Sequence, residues 1–184
     1  MRVFAALPLP PAVAGLLDSA LAPARLANPG LRWVSPDGFH VTLHFFGDVP
    51  EEGVAALQRV FDDAELRGPA IPTLLGRIGQ FPPRGNPRVL WVGLARGEAE
   101  IKAYWELFER KIYPLGWTPD ERGFSAHITI ARAGRSTAAA WDADLEMPGM
   151  DFLMEECVLF QSILGHAGAH YVPLKKITLE RGQG

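Results

Sequence analysis

Gly38-Phe39-His40-Val41-Thr42-Leu43 is a stretch whose chemistry occurs a second time, as Ser125-Ala126-His127-Ile128-Thr129-Ile130. Each copy holds a His-x-Thr-apolar tetrad, at 40–43 and 127–130, within a run of apolar and β-branched residues that favours a strand over a helix. Successive side chains of a strand point to opposite faces. His40 and Thr42 therefore share one face, as do His127 and Thr129, while Val41, Leu43, Ile128 and Ile130 turn to the other and can bury there.

The surroundings of the tetrads recur too. Val3-Phe4-Ala5-Ala6-Leu7 and Leu90-Trp91-Val92-Gly93-Leu94 both read as apolar strands, followed by helical stretches from Pro11 and from about Glu98. Val3 to His40 and Leu90 to His127 are the same interval, 37 residues. The chain thus reads as two copies of one strand–helix–strand unit. Paired about a pseudo-twofold axis, the copies would bring both His/Thr faces to one cleft.

At 184 residues the chain can bury a sizeable core as one domain or two closely packed lobes. An apolar content of 48% with 21% charged residues is that of a soluble globular protein. The formal charge of −3 argues against broad electrostatic binding of long nucleic acid, and leaves room for a small basic pocket. Cys157, the single cysteine, permits no internal disulfide; flanked by Val158, Leu159 and Phe160, it reads as a buried, inert thiol in a cytoplasmic protein. The start lacks the apolar segment of a signal peptide, and no run has membrane-spanning length, so no membrane association is expected.

Along the chain, Met1–Leu9 reads as a strand and Ala12–Leu26 as a helix that Pro23 kinks or ends early. Leu31–Val34 is a short strand, and the first tetrad strand runs on to Asp48. A second helix opens at Pro50-Glu51, with Val54, Leu57, Val60 and Phe61 on one face. Phe81 to Arg88 is a proline- and glycine-rich loop between the halves. The third helix carries Ile101, Tyr104, Trp105, Phe108 and Ile112 and stops at Gly116. A helix or irregular run is expected over Ala138–Leu145, one strand over Asp151–Ser162, and a hairpin return over Tyr171–Leu179.

An imidazole with an ordinary pKa of about 6.5 lets one copy be neutral and another charged near pH 7. Across a phosphodiester, a neutral copy takes a proton from water and a charged copy gives one to the leaving oxygen. Hydroxyls two residues on can donate to the non-bridging oxygens as charge builds.

Taken together, the chain resembles the two-histidine (2H) phosphoesterases, and more narrowly the bacterial and archaeal RNA 2′,3′-cyclic phosphodiesterases, also called 2′-5′ RNA ligases. The likeness rests on Arg2–Leu7, Arg32-Trp33-Val34, His40–Gly47, Phe81-Pro82, Val89-Leu90-Trp91, Ala126–Arg132, and Leu159–Ser162 with Gly168 and Tyr171. It implies an α+β fold of two pseudo-symmetric lobes over residues 1–184, with antiparallel sheets lining a central cleft and helices outside. It implies His40 as proton donor to the leaving 3′-oxygen, His127 as proton acceptor from water, and Thr42, Thr129 and Arg132 as substrate contacts. The expected substrates are RNA ends or nucleotides with a 2′,3′-cyclic phosphate, giving 2′-phosphate ends, with 2′-5′ ligation as a further activity. No metal or cofactor is required, and a monomer is expected.

Strict alternation puts Arg132 on the opposite face from His127, so a twist or bulge near Ala133-Gly134 would have to turn it back. His44 shares the face of His40 and could line the cleft rim, though it reads first as a solvent-facing strand residue; His166 and His170 read as surface residues. Two rival classes are a zinc site using His40, His44 and His127 with a carboxylate, and a non-catalytic RNA-end-binding protein.

Overall fold

The computed structural model describes residues 1–120, 123–134, 145, 147–165 and 168–181. Its elements are β1 (Arg2–Pro8), α1 (Pro11–Ala27), β2 (Arg32–Trp33), β3 (His40–Asp48), α2 (Glu51–Val60), β4 (Ile71–Phe81), β5 (Val89–Arg96), α3 (Glu98–Ile112), β6 (Ile128–Arg132), β7 (Phe152–Met154), β8 (Glu156–Gly165) and β9 (Gly168–Thr178). The fold is α+β: a nine-stranded sheet in the order β7-β4-β5-β6-β3-β1-β8-β9, with β2 beside β6, and all its pairings antiparallel.

The order is nearly palindromic about the β6–β3 junction. In one half β1, α1 and β3 are built so that β1 and β3 pair; in the other β5, α3 and β6 do the same. The junction is the antiparallel pair Val41↔Ile128, one residue from each tetrad. The antiparallel sheets that the family likeness implies are joined here in one continuous sheet. Equal spacing does not mean equal pairing either: Leu7 faces Val41, whereas Val92, not Leu94, faces Ile128.

The helices pack with the apolar residues that their periodicity selects: Val13, Leu17 and Leu21 of α1; Val54 and Leu57 of α2; Ile101, Phe108 and Ile112 of α3. These join Val3, Leu7, Val41, Val92 and Ile128 in one contiguous core. Pro11 opens α1 at a position where a missing N–H costs nothing. Pro23 does not end it. The helix runs on to Ala27, and the Asn28 backbone N–H then donates to the Arg25 carbonyl. The lost bond of one proline is outweighed by the buried Leu17 and Leu21 and by this cap.

Asp151–Ser162 is likewise not one strand. It breaks at Glu155 into β7, which edges β4, and β8, which pairs with β1 and β9. The helical or irregular run expected over Ala138–Leu145 lies outside the described residues apart from Leu145, as does His166. Cys157 is fully buried, and that burial pushes its thiol up to about 12, so the inert reading holds.

Candidate active site

The pair Val41↔Ile128 sets the geometry of the site. With these two residues turned into the core, an antiparallel register puts His40 across from Thr129 and Thr42 across from His127, on the other face. The duplicated tetrad thus makes a square of alternating imidazole and hydroxyl. Directly opposed side chains in such a pair stand about 4.5–5.5 Å apart at Cβ, and diagonal ones about 7–8 Å. The histidines occupy one diagonal, on adjacent strands of one sheet rather than on opposing walls.

Both imidazoles are held in the same way. Nδ1 of His40 lies 2.7 Å from the Gly38 carbonyl, and Nδ1 of His127 lies 2.8 Å from that of Ser125. A carbonyl only accepts, so Nδ1 carries the hydrogen and Nε2 is left for chemistry. Gly38 has little alternative: a Cβ there would stand 2.9 Å from Val34 Cγ1.

Each imidazole is also boxed by two rings. His40 packs between Phe4, at a centroid distance of 5.0 Å, and Tyr171, at 5.4 Å. His127 meets Phe81 edge-on at 5.2 Å and Trp91 at 6.1 Å. Trp91 gains its place because Gly79 has no side chain; a Cβ would fall 2.2 Å from the indole. Phe4, Phe81, Trp91 and Tyr171 stand within the stretches that carried the family resemblance, yet periodicity assigns them no role, since the boxing is non-local.

Enclosure disfavours the charged form of both imidazoles. Desolvation brings His40 down to about 4, offset in part by the Gly38 carbonyl, with the charges of Arg132 and His127 lowering it further. His127 is lowered by the same causes, burial first and then Arg132, against the Ser125 carbonyl. At neutral pH the free site therefore holds two neutral imidazoles.

Arg132 acts on both histidines because it has returned to their face. Leu90 pairs with Ala131 but Trp91 pairs with Thr129, so Ile130 is an extra residue in β6. Ile130 and Ala131 are both buried, and Arg132 comes round to the exposed side. The bulge sits at Ile130–Ala131, not at Ala133-Gly134 as expected, and an inserted residue reverses alternation.

A cavity of about 740 Å³ opens over the square, with Thr42, His127, Thr129 and Arg132 in its wall. His40 is not among its lining residues; it stands behind, between its two rings. A second hollow of about 770 Å³, lined by Pro8–Pro11 and parts of β8 and β9, holds none of the expected residues.

His44 departs from its expectation. Its side chain is 9% exposed, and Nδ1 lies 2.7 Å from Oε1 of Glu109, itself 8% exposed. Its partner on α3 is 65 residues away, so nothing local could reveal the pair. His170 is exposed as expected. Among the described residues no group of three His, Cys, Asp or Glu side chains converges as a metal would need. Among them, too, no helix is long and apolar enough to cross a membrane.

A sheet of this topology, with paired tetrads side by side at its centre, has the build of a two-histidine phosphoesterase. The model of the LigT-like phosphoesterases matches residues 7–91. A curated relative from Thermus thermophilus, named RNA 2′,3′-cyclic phosphodiesterase, is 33% identical over 100% of this chain and 93% of its own. One of the same name from Aeropyrum pernix is 32% identical over 55% of this chain, and the matched stretch spans 57% of that relative's length. A crystal structure of a Thermus thermophilus protein superposes with a TM-score of 0.80 at 27% identity, over 100% of both chains. The chain belongs to the RNA 2′,3′-cyclic phosphodiesterase family of LigT-like phosphoesterases.

Proposed function

We propose that the protein hydrolyses RNA 2′,3′-cyclic phosphate ends to 2′-phosphomonoesters with its two histidines as the proton-transfer groups. The observation that carries this is the square of His40, Thr129, Thr42 and His127, with both Nδ1 atoms tied to the carbonyl two residues back. His127 Nε2 takes a proton from water as the water oxygen bonds to phosphorus. The bond from phosphorus to the 3′-oxygen breaks, and His40 Nε2–H protonates that oxygen. The 2′-ester is retained, and the histidines exchange their protons with solvent. Thr42 and Thr129 donate to the non-bridging oxygens, and Arg132 neutralises their charge.

The two neutral imidazoles of the free site lack the one proton this scheme needs. An arriving phosphate anion helps to load it, because it offsets the Arg132 charge that adds to the burial holding both imidazoles down. Joining to a 2′-5′ linkage uses the same steps, with a 5′-hydroxyl in place of water.

The assignment is tested with a 2′,3′-cyclic-phosphate oligonucleotide incubated in chelator. Turnover to the 2′-phosphate alone is expected. A 3′-phosphate product would refute the leaving-group assignment, and loss of activity in chelator with rescue by zinc would establish the metal class. Adding a 5′-hydroxyl oligonucleotide tests the ligation. We also place the protein in the cytoplasm as a monomer; the buried lone thiol and a site built from one chain support this, and a sedimentation measurement checks the monomer.

A further inference from the structure

A further row of cross-strand side chains stands beyond the square. On the flank of β6 that β3 occupies up to His40, β2 takes over. The Val34 N–H donates to the Ile130 carbonyl, Trp33 pairs with Ala131, and Arg32 pairs with Arg132. Cross-strand partners share a face. Ala131 is fully buried, and the Trp33 indole N–H donates to the Asn28 carbonyl at the end of α1, so that pair lies on the helix side. Arg32 and Arg132 therefore stand on the side of the tetrads. With the bulge at Ile130–Ala131 counted as one step, Arg132 lies two steps past Thr129, roughly 7 Å at the rise of a strand. The rows then run in order: Thr42 with His127, His40 with Thr129, Arg32 with Arg132.

Like charges directly opposed in an antiparallel pair repel each other, and a guanidinium cannot shed its proton to relieve this. Neither arginine has a carboxylate partner among the described residues, although Arg25, Arg96, Lys111, Lys175, Lys176 and Arg181 each have one. Both are exposed, so packing does not demand them. A third cation stands close by: Arg88 precedes Val89, the partner of Arg132 on its other flank, and its own Nη1 donates to the Gly134 carbonyl. The arrangement destabilises the empty site and becomes favourable once an anion lies between the two guanidinium forks. The catalytic scheme uses Arg132 and leaves Arg32 without a role.

We infer that Arg32, with Arg132, binds a second phosphate: the one on the 5′-oxygen of the nucleotide that carries the cyclic phosphate. The order of the rows sets the direction. Water is activated at His127, in the row farthest from the arginines, and the 3′-oxygen leaves at His40, in the row next to them. The ribose carbon bearing that 3′-oxygen is bonded to the carbon that carries the 5′ arm, so the arm is directed towards the arginine row. A nucleophile, whether water or a 5′-hydroxyl strand, enters from the opposite end. Arg32 is thus a specificity residue. It distinguishes the end of an RNA strand, which has an internucleotide phosphate at this place, from a free nucleoside cyclic phosphate, which has none.

The inference rests on the proposed activity for which histidine faces the ribose, so its test reads binding as well as turnover. Calorimetry compares adenosine 2′,5′-bisphosphate with adenosine 2′-monophosphate on the wild type and on Arg32→Gln. The wild type binds the bisphosphate about tenfold or more tightly, the scale of one charge-assisted hydrogen bond. Arg32→Gln closes most of that gap and binds the monophosphate as before. In turnover, a 5′-phosphate on adenosine 2′,3′-cyclic phosphate lowers KM for the wild type at unchanged kcat, and does not for the variant. Without ligand, the variant unfolds at the same temperature or higher, because one of two opposed like charges is gone. An equal gap in both proteins overturns the inference. So does an equal loss on both ligands, which would place Arg32 at the reacting phosphate, and so does a lowered unfolding temperature, which would assign Arg32 to the fold. If neither protein turns over any cyclic phosphate, the activity is refuted, and the binding gap still decides the second phosphate site.

Discussion

At the scale of single residues, proximity and burial set what each imidazole does. Both histidines lie below their ordinary pKa of about 6.5, so kcat/KM, which reports the free protein, is expected to peak on the acid side and fall as pH rises through neutrality. A plateau extending above pH 8 would contradict it. His40→Ala and His127→Ala each lose about 10²–10⁴ in rate, and the double mutant loses far less than the product of the two. Arg132→Ala is expected to cost no more than the about 10²–10³ of a lone charge-stabilising donor, since in the proposed scheme two threonines share the phosphate. Its second effect is diagnostic: removing the charge that depresses both imidazoles shifts the pH profile upward. An unmoved profile would place Arg132 away from them. Stability follows the same logic with a definite sign. His40 stays neutral down to about 4 in the folded protein, whereas unfolded chains take that proton below about 6.5. Its contribution is complete above 6.5 and is lost as pH falls towards 4, at no more than about 1.4 kcal/mol per pH unit. Denaturant unfolding between pH 6.5 and 5 should show the decline, and His40→Gln should flatten it.

At the scale of elements, the site depends on how strands give way to one another. Gly79 of β4 leaves the space in which the Trp91 indole of β5 lies, and Trp91 in turn supports His127. Gly79→Ala is therefore expected to destabilise by the 1–3 kcal/mol typical of overpacking, and to lower kcat by displacing the His127 wall. Near-wild-type values for both unfolding and turnover would show that the indole is free to move. The bulge in β6 belongs to this scale too. Alternation read from Ile128 onward puts Arg132 on the wrong face, and it is the pairing with β5 that inserts Ile130 and restores it. Strand identity was legible in this stretch because β-branched residues mark it locally. Its register was not, because register is decided by the partner.

At the scale of the molecule, two halves meet at one short junction, and the net charge of −3 argues against broad binding of a polyanion. Binding is expected to be confined to the end of the RNA. For single strands, affinity falls with salt at about −0.7 per neutralised phosphate on a log–log plot. A dinucleotide and a dodecanucleotide, each with a cyclic phosphate end, should thus give nearly the same shallow slope. A slope that steepens with length would reveal a basic track beyond the cavity.

The amino-acid sequence by itself determined that two strands carry the His-x-Thr tetrads and that each histidine shares a face with its threonine, because the β-strand period and a repeated tetrad are written in neighbouring residues; the α+β class it carried by family likeness. It also carried Arg132 as a substrate contact, although only by family likeness. Tertiary structure alone decided that the halves share one sheet, that Pro23 is tolerated within α1, and that the histidines stand side by side on adjacent strands. It alone brought Glu109 to His44 and closed four aromatic rings around the two imidazoles. Those outcomes depend on contacts between residues far apart in the chain, and burial, which sets the charge of an imidazole, exists only once such contacts have formed.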